Sequence, residues 1–400
     1  MTQLSRKEFL GWLGASAFGL AARADVMEQR AARLIREYDR QGVHRTGAQA
    51  DEQSARWLAA QARRCGGAIT LESFTLDRVD PQACFVAADD KRVEGMPIFD
   101  APFTSAAGVR GTLGPFGGDA DIGWIELPPN AEYGASYEPT RRNSRHQAII
   151  VLTKGGRPGL CPINAPQFQH PYGSPILQIS GEHREWLRRQ TSAHFVAQVK
   201  RTKTRAINVT ASIKGANGRL EPLVVMTPRS GWWRSTSERG GGLVCWLEAM
   251  RALSARRPAR DVYFLASSGH ELGHLGLKDF LARRPQLAAG ARAWIHFGAN
   301  IGVAGAPNRI QASIDELEAV AVNALTGARV AINDKAKRGV APFGEAGEIH
   351  RSGGRYLSLL CLANPLFHHP ADRWPGVVDI QAVSRYATAF AEVAQTLAQS

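Results

Sequence analysis

DVYFLASSGHELGHLGL, Asp261 to Leu277, is the stretch whose reading decides the fold. Val262 to Ala266 is an apolar run, and Ser267, Ser268 and Gly269 stop it. A short apolar run that ends at Ser and Gly and leads into helix-like sequence reads as a buried strand feeding a turn. In open α/β sheets, ligands bind outside the carboxyl ends of the strands. His270, Glu271 and His274 stand there, two imidazoles and a carboxylate suited to metal binding or proton transfer. The same five residues fit H-E-x-x-H, a spacing that sets two imidazoles on one helical face with Glu as general base. That chemistry needs the motif inside a helix. Here it falls where a strand breaks, with Gly273 inside it, so the context argues against a literal zincin. The plainer role for His274 is to cap the following helix and fill a cleft.

Outward from this stretch, strands alternate with helices. Leu223 to Met226 reads as a buried strand, and Leu243 to Leu253 as a helix entered through Gly240-Gly241-Gly242. Leu277 to Arg283 is helical, Ala293 to Phe297 is an apolar run, and Asp315 to Leu325 is helical. Tyr356 to Ala363 is a strand, and Asp379 to Leu397 is a closing helix. This alternation indicates an α/β sheet. Upstream come a helix over Asp25 to Gly42, a second from Asp51 to Gly66, and a strand over Ala68 to Leu76. From about Asp80 to Gln190, Gly and Pro are frequent. Short β-like runs recur there at Ala83 to Ala88, Val109 to Leu113, Ile122 to Leu127, Ala148 to Leu152 and Ile176 to Ile179. This reads as a mostly β insertion. Phe195 to Lys200 and Ala206 to Ile213 read as two strands around a turn.

Four hundred residues with 44% apolar content fit a globular protein with a sizeable core. Residues 1 to 24 have the form of an export signal: basic Arg6 and Lys7, an apolar run from Phe9 to Leu20, and Ala22-Arg23-Ala24 before Asp25. Ser5-Arg6-Lys7-Glu8-Phe9-Leu10 is similar to a twin-arginine signal with Lys in the second basic place. The expected location is the periplasm or the medium, with no stable membrane span after cleavage. The net charge is +13, and +11 without the three basic residues and one acidic residue of that segment. Much of it is Arg scattered on helices. No basic patch is interleaved with aromatics, so nucleic acid is not an expected partner. Five cysteines, Cys65, Cys84, Cys161, Cys245 and Cys361, have no metal-ligand spacing; one disulfide would be compatible with export.

With these residues in view, the chain resembles the double-zinc exopeptidases of peptidase family M twenty-eight, the bacterial aminopeptidases and glutamate carboxypeptidases. Val43-His44-Arg45-Thr46-Gly47 and the helix after it resemble the family's opening R-x-x-G and helix. The β insertion sits where the family carries its protease-associated domain. Gly242 to Leu253 resembles the helix after the first metal strand, Glu271-Leu272-Gly273 with Leu275-Gly276 resembles E-E-x-G-x-x-G, and Phe367-His368-His369-Pro370-Ala371-Asp372 resembles Y-H-x-x-x-D. The resemblance implies a mostly parallel sheet flanked by helices, with an inserted mostly β protease-associated-like domain. The implied division is 1–24 signal, 25–79 first part of the peptidase-like domain, 80–190 insertion and 191–400 main part.

The family's chemistry is not carried intact. The resemblance implies two zinc ions held by two His and three carboxylates, with a neighbouring Glu as general base, and the metal pair clamping water and carbonyl. The family's H-x-D falls on Pro228, Arg229 and Ser230. The bridging Asp falls near Ser237-Glu238, where Glu238 is the one candidate, and a further acidic ligand falls on or near Gly298-Ala299. The base falls on His270, while the ligands kept are Glu271 and His368. A single zinc would then need Glu271 and His368 with His274, His296, His369 or His270, since a zinc site takes at least three protein ligands. His270 and Glu345 are the catalytic candidates. Trp232, Trp233 and His350 are candidates to line the substrate cleft, although plain packing suits the two Trp. Two functions follow. One is an exported hydrolase of peptide or amide bonds with an altered, single-metal centre. The other is an inactive peptidase-fold protein that serves as a binding module, with a protein partner left open.

Overall fold

The computed structural model describes residues 25–400, so the export-signal reading of residues 1–24 lies outside the described residues. Helix α1 covers residues 25–40 and α2 covers Gln49–Arg64. Ala55, Leu58, Ala59 and Ala62 form the buried stripe of α2, at the spacing that places side chains on one helical face. Strand β1 (Ala68–Ala88) turns into β2 (Lys91–Glu94) and β3 (Met96–Pro97). Then come β4 (Val109–Pro115), β5 (Ile122–Leu127), α3 (Tyr137–Arg142), β6 (Ala148–Thr153), β7 (Ile176–Ser180) and α4 (Arg184–Leu187). The chain returns along β8 (Ser192–Ile213). It continues through β9 (Leu223–Pro228), α5 (Thr236–Ala255), β10 (Val262–Ser267), α6 (Leu275–Ala282), α7 (Leu287–Gly290) and β11 (Ala293–Phe297). It ends with β12 (Asn308–Ala312), α8 (Asp315–Gly327), β13 (Asp334–Lys335), α9 (Ala346–Arg351), β14 (Tyr356–Cys361) and α10 (Ile380–Gln399).

The strands follow one path, β13-β12-β14-β11-β9-β10-β8-β4-β5-β6-β7-β3, with β1 beside β8. β14, β11, β9 and β10 are parallel, and their side chains are almost all buried, as expected of strands covered on both faces. Val209, Val225, Phe264, Ile295 and Leu357 meet α1, α2, α5, α8 and α10 on one face. Val224, Leu265, Trp294 and Tyr356 meet α6 and α9 on the other. β4 to β7 form a second parallel set with cores of its own. The expected α/β architecture, a sheet flanked by helices, is therefore what the chain folds into, and residues 80–190 are rich in strands.

Two local expectations fail. Residues 195–213 are one continuous strand, not two around a turn, and β1 likewise runs unbroken to Ala88. The charged stretch Arg201 to Arg205 is the solvated middle of this ribbon, where Lys200 faces Asp80 and Lys203 faces Asp77. Opposite charges across a ladder support strand pairing. The second is α5, which starts at Thr236 and contains the glycine triplet. A Cβ at Gly241 would overlap the Ile301 carbonyl, and one at Gly242 would sit 2.7 Å from Thr227 Oγ1. Close approach to the sheet explains glycine inside a helix that glycine otherwise weakens.

Candidate functional site

Because β9, β10, β11 and β14 are parallel, their carboxyl ends share one edge. The loops that leave them carry residues 229–235, 268–274, 298–307 and 362–379. Ser235, His274, Asn300, Ala363 and His368, all on these loops, have positive φ. Non-glycine residues held in the left-handed region cost energy and gather at functional sites.

Glu271 does not point at the other candidates. Its Oε1 accepts from the Thr46 backbone N–H (3.0 Å) and hydroxyl (2.6 Å), and its Oε2 accepts from Ser230 Oγ (2.7 Å). Ser230 Oγ in turn accepts from the N–H of Gly269 (2.9 Å) and of His270 (3.3 Å). Arg229 is also committed elsewhere: fully buried, it pairs with Asp51 (2.8 Å) and donates to the Asp51 and Ile207 carbonyls. The loop after β9 is thus a structural knot.

Glu238 and Arg239 lie buried in the first turn of α5. Arg239 Nη2 lies 2.8 Å from Glu238 Oε1, and His368 Nε2 lies 3.4 Å from the same oxygen. Arg239 Nε donates to the Ser230 carbonyl, and its two terminal nitrogens have no hydrogen-bond acceptor among the described residues. Burial would raise the Glu238 carboxyl, but Arg239 and then His368 outweigh it and hold it down at about 2. Asp372, the acidic residue of the Y-H-x-x-x-D-like motif, caps this helix by accepting from the N–H of Ser237 (2.8 Å) and Glu238 (3.2 Å). Its burial pushes its carboxyl up to about 7.

His270 begins a short 3-10 turn, His270–Leu272, and so leaves the strand end as a turn rather than a helix. Its Nδ1 is 3.8 Å from Glu345 Oε1. Glu345 is buried and accepts from Ser267 Oγ. Burial, reinforced by Arg239, holds His270 well below its ordinary value. His296 is buried on β11 with Nδ1 2.8 Å from Ser358 Oγ, and burial takes it down to about 3. His274 Nδ1 pairs with Glu348 at 3.0 Å. His369 turns away, with Nε2 at the Pro158 carbonyl (2.8 Å) and Nδ1 accepting from Ala371 N–H (3.0 Å). His350 packs edge-on against Tyr356 behind the cleft.

The segment 80–190 supplies residues that the motifs did not point to. Tyr133 meets Phe343 edge to face at 5.0 Å, a closure across the cleft. Under it lies a cleft of about 650 Å³ whose lining includes Glu132, Asn164, His270, His274 and Gly344. An adjoining, more apolar recess includes His270, His296, Gly298, Ala299 and Asn364. Glu132 Oε1 accepts from Asn164 Nδ2 (2.9 Å), and Asn164 Oδ1 accepts from Trp232 Nε1 (2.9 Å). Burial pushes the Glu132 carboxyl up to about 7. Trp232 is therefore a buried support rather than a cleft wall, and Trp233 likewise donates to the His368 carbonyl. Arg239 had a signal: it is a charged residue beside a glycine triplet at the start of a helix whose middle is apolar. Glu132 and Asn164 had none, because no spacing links them to the strand ends.

No family model matches the sequence, and neither does any curated protein. Solved structures do match. A zinc aminopeptidase from Bacillus subtilis superposes with a TM-score of 0.74 at 15% identity, covering 93% of this chain and 95% of that one. An aminopeptidase from Aneurinibacillus sp. strain AM-1 gives 0.72 at 14%, covering 93% and 94%. A peptidase M28 precursor from Shewanella amazonensis SB2B gives 0.72 at 15%, covering 95% and 96%. The chain has the zinc-aminopeptidase fold.

The side chains present do not fit a zinc pair. Pro228 and Gly298 offer no side-chain ligand atom, Glu271 accepts three hydrogen bonds from Thr46 and Ser230, and Glu238 is paired with Arg239. The single-metal set fares no better, since Glu271, His274 and His369 each face a different partner. Among the described residues, no three of His, Cys, Asp or Glu come together to hold a metal ion. All five cysteines are buried and free.

Proposed function

We propose that this chain is a binding protein on the zinc-aminopeptidase fold, holding an aminoacyl or peptide ligand in the cleft without two-zinc hydrolysis. The observation that carries this reading is the buried Arg239–Glu238 pair at 2.8 Å. It fixes a permanent positive charge beside the one carboxylate that could bridge two metals. A divalent cation at that carboxylate would meet the guanidinium at a few Å in a low-dielectric interior, where like charges repel strongly. Pro228 and Ser230, which replace a ligand and its partner, support the same conclusion.

The test is metal content of the purified protein after dialysis against zinc, beside turnover of an aminoacyl-amide panel. The expected outcome is substoichiometric zinc, no turnover, and saturable binding of at least one panel member. A second reading, a hydrolase with a single metal, is favoured by the unpartnered Nε2 atoms of His296 and His368 and Nδ1 of His270. Stoichiometric zinc, lost in both Glu271→Ala and His368→Ala and accompanied by turnover, would establish it instead.

The remaining expectations belong to the same proposal. Residues 80–190 act as a covering domain over the cleft of the 25–79 and 191–400 body. Residues 1–24 direct export to the periplasm or medium. No described helix is long and apolar enough to cross a membrane.

A further inference from the structure

Arg239 aside, the buried atoms without hydrogen-bond partners around the cleft include Glu132 Oε2, Glu345 Oε2, His270 Nδ1 and His296 Nε2, all of which can offer a lone pair. The Arg239 guanidinium faces Glu238, and the two cationic side chains that line the cleft, Lys278 and Arg351, face Glu348. Enclosed acceptors without a donor are costly, and a donor-rich cation is the kind of group that would satisfy them. A metal ion would also take lone pairs, but no three ligands converge among the described residues. A primary ammonium group needs no coordination geometry and brings three N–H donors.

Glu132 is the residue placed to receive it. One carboxylate oxygen is held by Asn164, and Asn164 is held by Trp232. The other oxygen is enclosed and unpartnered. The chain of contacts runs from the β9–α5 loop through the 160s loop to the 130s loop, so three segments fix one carboxylate under the Tyr133–Phe343 closure. A solvated loop glutamate would need none of this. We infer that Glu132, contributed by the insertion, is the specificity-determining residue of the cleft and takes the primary ammonium group of the ligand, with Asn164 and Trp232 as positioning residues. This rests on the binding role proposed above but not on the absence of turnover. The ammonium could belong to an aminoacyl or peptide terminus or to a simple alkylamine. The shared requirement is a primary, charged nitrogen.

Calorimetric titration with three probes tests this: L-leucinamide, its Nα-acetyl form and 3-methylbutylamine. Wild-type protein is expected to bind leucinamide and to bind the acetylated probe at least roughly tenfold more weakly, as loss of a charged hydrogen bond implies. Glu132→Gln, nearly isosteric, should remove that preference by weakening leucinamide alone. Trp232→Phe and Asn164→Ala should reduce the preference too, a readout that a loss of packing alone would not move; circular dichroism checks that each variant is folded. Comparable binding of 3-methylbutylamine supports the ammonium site and assigns it to alkylamines, whereas leucinamide alone assigns it to aminoacyl ends. Equal affinity for leucinamide and its acetylated form, or an unchanged preference in Glu132→Gln, overturns the ammonium site and leaves the binding role standing. No binding of any probe overturns both. Zinc-dependent hydrolysis of leucinamide overturns the non-hydrolytic reading alone, and KM in Glu132→Gln then decides the site.

Discussion

Ser230 and Arg239 occupy the ground where the resemblance leads one to expect metal chemistry, Ser230 held by hydrogen bonds and Arg239 by its ion pair with Glu238. Ser230 receives two backbone N–H groups and donates to Glu271, so it organises the turn that presents His270. Ser230→Ala leaves these buried groups without a partner. A loss of about 1–3 kcal/mol in denaturant-unfolding stability is the expected outcome. Arg239→Met isolates the buried Glu238 carboxylate, and the same measurement should register about 3–5 kcal/mol. A third prediction concerns acid. His44 is buried against Tyr38 and bonded to the Arg234 carbonyl at 2.8 Å, and burial, with Arg229 and Arg234 nearby, lowers it to about 3. Its folded value lies below its unfolded one, so its contribution is present above about pH 6.5 and is lost as pH falls toward 3. The expected slope is about 1.4 kcal/mol per pH unit, and His44→Gln should flatten it in denaturant titrations run between pH 7 and 4. Positions were legible at this scale and directions were not. His270, Glu271 and His368 all lie at strand ends as their motifs imply, yet only the fold reveals that Thr46 claims Glu271.

Periodicity served well where one face alone is buried, and less well where close contact overrides propensity. α2, α8 and α10 follow their apolar stripes to within a few residues. α5 does not, because almost every residue of it is buried and its glycines are there for clearance. Gly241→Ala raises helix propensity but forces a methyl group into the Ile301 carbonyl. Thermal unfolding should show net destabilisation, by about 1–3 kcal/mol as overpacked cores do. The ribbon of β1 and β8 was misread for the converse reason: its middle is charged and solvated, which resembles a turn when the partner strand is not known.

For the whole molecule, the mostly parallel α/β sheet and the strand-rich character of residues 80–190 were legible, because alternation of element types survives local error. The insertion's contribution to the cleft was not, since contacts between segments more than a hundred residues apart leave no pattern in the chain. Tyr133 and Phe343 join the insertion to the body across the opening. Removing the ring in Phe343→Ala should speed both entry and release of a bound amide, measured by stopped-flow fluorescence, while changing thermal stability little because the ring is partly exposed.

The long ladder between β1 and β8 has a consequence for how force and heat pass through the protein. It pairs residues without a break from Ala68–Ser212 at the body to Ala87–His194 at the insertion, with one register shift between Pro81 and Ala83. A flexible tether would let the two parts rock and melt apart. A hydrogen-bonded ribbon instead couples the two parts mechanically. Loosening either part strains the other, and calorimetry should record one melting event for both.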